Sequence, residues 1–233
     1  MIIFLNSWCF GEDTLKVSLP SFPPFYDNEH PSKGVISKIY STIEEKLDLK
    51  VEIIKLPYAR ILKNLKNGDL DAALIFKNKK IANDIKYVAK LSESQILIWV
   101  KRGKQLKDYK SLHHLQIATI RAASFHDRFD NDEKIFKIPV RNYVQALKML
   151  NKNRVDGIIG SKSGVLHSAR ISNINLDEFP PPLLLGTKEW WLHISNKSKK
   201  LKMSNKLKDI INSLYRKNLV FKVFQQEYLK QKL

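Results

Sequence analysis

Apolar residues recur along this chain in two alternating rhythms. Leu15-Lys16-Val17-Ser18-Leu19 alternates apolar and polar and predicts a strand, stopped by Pro20 and then by Pro23-Pro24. Val35, Ile36, Ile39, Ile43 and Leu47 fall on one helical face. Val51 to Leu56 alternates again and is rich in β-branched residues, which predicts a second strand. Pro57 suits the first turn of a helix carrying Ile61, Leu62 and Leu65, and Asn67-Gly68 ends it. Ala72 to Phe76 is a short continuous apolar run, the mark of a buried parallel strand. Gln95 to Val100 is a further apolar run.

After the charged Lys101-Arg102-Gly103-Lys104 the cycle restarts. Strands are predicted at Gln116–Ile120, Phe136–Val140 and Val155–Ile159. Ser124 is placed to cap a helix, and Val144, Leu147 and Leu150 mark another. Pro180-Pro181-Pro182 breaks the chain before Leu183-Leu184-Leu185, and Trp190 to Ile194 reads as extended. Two terminal helices follow, one with Leu207, Ile210, Ile211 and Leu214, the other with Phe221, Phe224 and Tyr228. A βαβαβ unit therefore occurs twice, near residues 14–95 and 105–160. This predicts an α/β fold with two lobes. Open α/β sheets bind ligands at the carboxyl ends of their strands, so two such edges facing each other make a cleft. Hinge closure around a ligand is the expected motion.

The order of segments resembles the type II periplasmic solute-binding proteins, the extracellular solute-binding protein family 3 that includes polar amino-acid binders. The resemblance spans roughly residues 14–231 and rests on four pieces. They are Leu19-Pro20-Ser21-Phe22-Pro23-Pro24-Phe25-Tyr26 with Gly34 downstream; Pro57-Tyr58-Ala59-Arg60 with Leu65, Gly68 and Asp71; Asn151-Lys152-Asn153-Arg154-Val155-Asp156; and the ending from Leu214-Tyr215-Arg216-Lys217-Asn218 to Tyr228. The resemblance implies a two-lobed periplasmic-binding-protein-like type II fold with a hinge of two crossovers, near Trp99–Arg102 and Gly186–Trp191. Lobe one is then 14–98 plus 191–233, and lobe two 99–190. It also implies an exported, monomeric binder without a cofactor or enzymatic activity. Its partners are a small polar solute and the membrane subunits of an ABC-type transporter, not nucleic acid. A stand-alone sensory or vestigial binder of the same fold is the alternative role.

Phe22, Phe25 and Tyr26 follow the first strand in a Pro-stiffened loop. They either line the cleft, with faces suited to apolar or cationic groups, or cap the core beneath. In the family an arginine after the third strand clamps a carboxylate and an aspartate in lobe two holds an ammonium. Here Phe76-Lys77-Asn78-Lys79-Lys80 has no arginine, and the aspartate position falls on Ser161. Lys77 lacks the bidentate fork of a guanidinium, and a hydroxyl is a weaker partner for an ammonium than a carboxylate is. A zwitterionic amino acid is therefore a poor match. Arg121, with Ser124 and the helix amides after it, forms an anion seat in lobe two unless Arg121 pairs with Asp127 or Asp130. Arg60 lies either at the cleft edge or on a helix surface.

Composition changes this picture in two places. The chain of 233 residues carries a net charge of +18. Residues 190–233 hold eleven basic and two acidic residues. Such a tail suits a nucleic-acid, polyanion or anionic-membrane contact, or a solvated helix face, and the alternation of lysines with apolar residues favours the last. Cys9 is the single cysteine, which excludes an intramolecular disulfide. It sits in the apolar run Met1–Phe10, which reads as a truncated secretory signal spanning residues 1–13 or as an ordinary strand. No dinucleotide, P-loop or nucleophile-elbow motif occurs. His113-His114 point different ways, His126-Asp127-Arg128 fits a polar helix face, and Asp69 and Asp71 do not form a convincing acid–base pair. No catalytic or metal site is expected.

Overall fold

A computed structural model describes residues 14–20, 34–215 and Lys222. The expected signal segment, the loop bearing Phe22, Phe25 and Tyr26, and the last helix with Phe221, Phe224 and Tyr228 lie outside the described residues.

The first unit is β1 (Thr14–Pro20), α1 (Val35–Leu47), β2 (Lys50–Leu56), α2 (Tyr58–Asn67) and β3 (Ala72–Phe76). The second is β5 (Gln116–Ile120), α3 (Asp127–Asp130), β6 (Phe136–Val140), α4 (Tyr143–Asn151) and β7 (Gly157–Ser161). The long strands β4 (Ile85–Val100) and β8 (Leu183–Ser195) join them, with α5 (Lys162–Ile171) and α6 (Ser204–Leu214) packed alongside. The strand order β2-β1-β3-β8-β4-β7-β5-β6 is symmetric about its centre. In each half the first strand lies between two parallel neighbours, and the third strand meets a long antiparallel one.

Local chemistry explains these elements. Ile36, Ile39, Tyr40 and Ile43 of α1 are buried on the face predicted from their spacing. The Tyr40 hydroxyl donates to the Ser18 carbonyl at 2.7 Å and accepts from the Leu74 amide at 2.8 Å, so the buried phenol locks α1 across β1 and β3. Gly68 ends α2 at φ +85°, and a Cβ there would meet Lys197 Cβ at 2.9 Å. Pro139 lies in β6, the edge strand, where its missing N–H breaks no interior ladder.

The two halves repeat one staple. Asp71 precedes β3 and Asp156 precedes β7. The Asp71 carboxylate accepts from the Lys16 amide at 2.8 Å, and the Asp156 carboxylate accepts from the Gln116 amide at 2.9 Å. Each aspartate amide donates back to the carbonyl of the same residue, at 2.9 and 2.8 Å.

Three sequence expectations change. The apolar run Gln95–Val100 is the end of a sixteen-residue strand whose first part is broken up by Lys86, Lys90, Ser92, Glu93 and Ser94. The segments Leu183–Leu185 and Trp190–Ile194 form one strand, bent near Gly186, where β4 and β8 slip register. Ser124 caps no helix. His126 caps α3 instead, its Nδ1 accepting from the Arg128 amide.

Candidate functional site

The sheet itself places the site. β3 ends at Phe76, opposite Trp190, and Trp190 pairs with Ser92 on β4. β7 ends at Ser161, opposite Ile96 on the same β4. The carboxyl ends of the two third strands thus approach from opposite sides of a short stretch, Ser92–Ile96 of β4 with Gly186–Trp190 of β8. Ile96–Val100 already pairs with β7, so β4 passes between the halves upstream of Trp99–Arg102.

Two tyrosines hold corresponding positions at this junction. Tyr58 is the first residue of α2 and Tyr143 the first of α4, and both are buried. The Tyr143 hydroxyl accepts from the Ser161 amide at 3.1 Å. Its ring is slotted between Gly160 and Gly164, where an added Cβ would lie 2.5 Å from a ring carbon in either case. Burial pushes the Tyr58 phenol up to about 12, the Asn78 side chain pulls it down, and the Tyr143 phenol of the other half adds to the rise. Asn78 is fully buried. Its Oδ1 accepts from the Lys80 amide, while its Nδ2 has no hydrogen-bond partner of normal geometry among the described residues.

The rim is charged. Lys79, past β3, donates to the Asp127 carboxylate at the start of α3 at 2.6 Å, spanning the two halves. Lys188 of β8 donates to Ser124 Oγ at 3.1 Å. Burial lowers the Lys188 pKa, and Asp130 and Asp127 work against that fall. The Lys79 hydrogen bond holds the Asp127 carboxyl below its usual range. The bridge is therefore present at neutral pH and is lost only as pH falls through that depressed value. Both partners are exposed, so salt screens it. Lys79→Glu sets like charges against each other and is expected to open the halves. Small-angle scattering at low salt should show a larger radius of gyration than in the native protein, and an unchanged radius would refute the bridge as a closing contact.

The structure distributes the expected site residues unevenly. Ser161 is fully buried at the end of β7, where its hydroxyl accepts from the Gly164 amide as the cap of α5. Ser124 Oγ donates to Asp130, and the Phe125 amide also donates to that carboxylate. The anion seat expected there is thus filled by the chain's own Asp130, and α3 has only one turn. Arg121 is exposed after β5, while Asp127 and Asp130 bond to Lys79 and to Ser124 with Phe125. Phe76 packs on Trp190, ring centroids 4.3 Å apart, and Trp190 Nε1 donates to Ser94. The Lys77 ammonium lies 4.7 Å from the Trp191 ring centroid and 5.1 Å from that of Tyr87. Arg60 is exposed on α2. The sequence reading missed Tyr58, Asn78, Tyr143 and Lys79. The signal for the tyrosines was present, since Pro57-Tyr58 and Asn142-Tyr143 each open the helix after a second strand.

Solved structures share this architecture. ArgBP from T. maritima in its holo form superposes with a TM-score of 0.73 at 13% identity, covering 87% of this chain and 90% of that one. The chain has the fold of the type II periplasmic solute-binding proteins. A histidine kinase sensor domain with similarity to periplasmic binding proteins gives a TM-score of 0.74 at 16% identity, covering 94% and 95%. The GluR0 ligand-binding core from Nostoc punctiforme, in complex with L-glutamate, gives 0.70 at 14%, covering 93% and 97%. No family model and no curated protein sequence matches the chain.

Proposed function

We propose that this protein is a solute-binding protein, not an enzyme, that captures a small polar solute between its two lobes. The observation that carries the reading is the junction itself. The carboxyl ends of β3 and β7 flank the same short stretch of β4 and β8, and the Lys79–Asp127 bridge spans the two halves there. A ligand that touches both halves stabilises the closed state, because only that state offers all its contacts. The exposed cations Arg121 and Lys79 beside the opposed strand ends suit a solute that carries an oxygen acceptor. Arg121, Lys77, Arg60 and the aromatic residues Phe22, Phe25, Tyr26 and Phe76 extend the set of contacts we assign to the ligand. Delivery to an ABC-type transporter from outside the cytoplasmic membrane is the role we favour. The likeness to a sensor domain supports sensing by the same closure as a second reading.

A thermal-shift and calorimetric screen of the full chain tests this, with amino acids, organic acids, sugars, polyamines and phosphates as probes. One class should stabilise saturably, by about 2.7 kcal/mol at a hundred times its Kd. Arg121→Ala should weaken an anionic ligand about tenfold, the value of one hydrogen bond to a charged group. A panel with no saturable small solute, beside a salt-sensitive shift with duplex DNA, overturns the reading.

A further inference from the structure

The end of the first lobe opposite the cleft has a different character. β1 and β3 are parallel, so their starts lie together, and antiparallel β8 finishes beside them with the Ser195 amide donating to the Asp71 carbonyl. There a basin of about 920 Å³ is lined by Lys16, Lys197, Lys199, Lys200, Lys202 and Lys206, facing Asp48, Asp69 and Asp71. The Asp71 carboxylate is already taken by the Lys16 amide and the Ser198 hydroxyl. Lys16, Lys197, Lys199, Lys202 and Lys206 are exposed and make no ion pair among the described residues. Residues 197–208 contain six lysines and no acid, arginine or aromatic residue.

We propose that this lysine-ringed base docks on an anionic phospholipid surface. The chemistry of the patch selects that partner. Lysines are compact, hydrated point charges, suited to a diffuse anionic plane and lacking the fork that grips a single phosphate. A groove for single-stranded nucleic acid is expected to interleave aromatic rings for base stacking, and the patch has none, while duplex DNA is the rival that the test below includes.

The test is co-sedimentation of the full chain with vesicles of phosphatidylcholine alone and of two parts phosphatidylcholine to one part phosphatidylglycerol. Binding should need the anionic lipid and fall as salt rises. The triple change Lys199→Glu, Lys202→Glu and Lys206→Glu should weaken it about a hundredfold. The control is a second basic hollow on α4, lined by Arg141, Lys148, Lys152 and Arg154. Lys148→Glu, Lys152→Glu and Arg154→Glu alter net charge by the same amount and should change binding far less. Near-ultraviolet circular dichroism confirms that both triple variants are folded, and glutamine in place of glutamate serves where one is not. Equal losses in the two variants, equal binding to both vesicles, or retention by duplex DNA in preference to anionic vesicles overturns the proposal. None of these outcomes bears on solute binding in the cleft.

Discussion

Gly160→Ala is expected to destabilise the protein by about 3 kcal/mol, at the upper end of the usual cost of overpacking a core. Gly160 is fully buried in β7. An added Cβ would lie 2.5 Å from Tyr143 Cε1 and 2.6 Å from Val165 Cγ2, closer than nonbonded carbons approach. The ring cannot swing away. Gly164 closes its other edge, with a Cβ there meeting Cε2 at 2.5 Å, and the Ser161 amide fixes the hydroxyl. Strand and helix would have to separate, in a core packed as densely as a crystal. Urea denaturation measures the loss, and Tyr143→Leu in the Gly160→Ala background should recover part of it, because neighbouring sites couple. A cost below about 1 kcal/mol would mean that the slot relaxes freely. The same variant displaces Tyr143 from Ser161, so it should also weaken any ligand held at the junction.

That slot shows where sequence reasoning runs out. The alternation of strands and helices was legible because the apolar periods of 2 and 3.6 are local signals, and Val17, Leu19, Ile61 and Leu65 are buried as their spacing predicts. Helix α5 was not legible. Ser163, Gly164 and Ser168 dilute its apolar pattern, and Gly164 is there to admit the Tyr143 ring, a long-range demand that no local window contains. The first part of β4 was hidden for a similar reason, since its polar residues face partners on β8 and α6, such as Glu189 for Lys90 and Ser204 for Lys86. Ser124 looked like a helix cap by type, but its hydroxyl serves Asp130 within the same short loop. The rim of the site depends on which loops face each other. Lys79 and Asp127 are distant in sequence, and only the folded sheet makes them a pair.

Asp71 was legible as part of the motif that opens with Pro57-Tyr58, and its removal is the second large effect expected. Asp71→Ala takes away the acceptor for the Lys16 amide and for the Ser198 hydroxyl together. Leaving such donors unpaired costs about 1–3 kcal/mol each where they are buried. Ser198 is buried and the Lys16 amide sits at the strand edge, so a total of about 3 kcal/mol is expected. Asp156→Ala repeats the experiment in the other half, where the Gln116 amide and the Lys101 ammonium lose their partner. Burial raises the Asp156 pKa, but Lys101, the Gln116 amide and Lys104 outweigh it and hold the carboxyl below its usual range. Its contribution is thus present above the unfolded pKa of about 3.9 and is lost as pH falls through the lower folded value. Asp156→Ala should therefore flatten the acid limb of the stability profile. The two substitutions also separate the halves. If each half unfolds as its own cooperative unit, Asp71→Ala lowers one denaturation midpoint and Asp156→Ala the other. If β4 and β8 bind the halves into one unit, both lower a single midpoint. The continuous sheet and its two shared strands favour the single transition, and two independent midpoints would show that the junction yields before either lobe does.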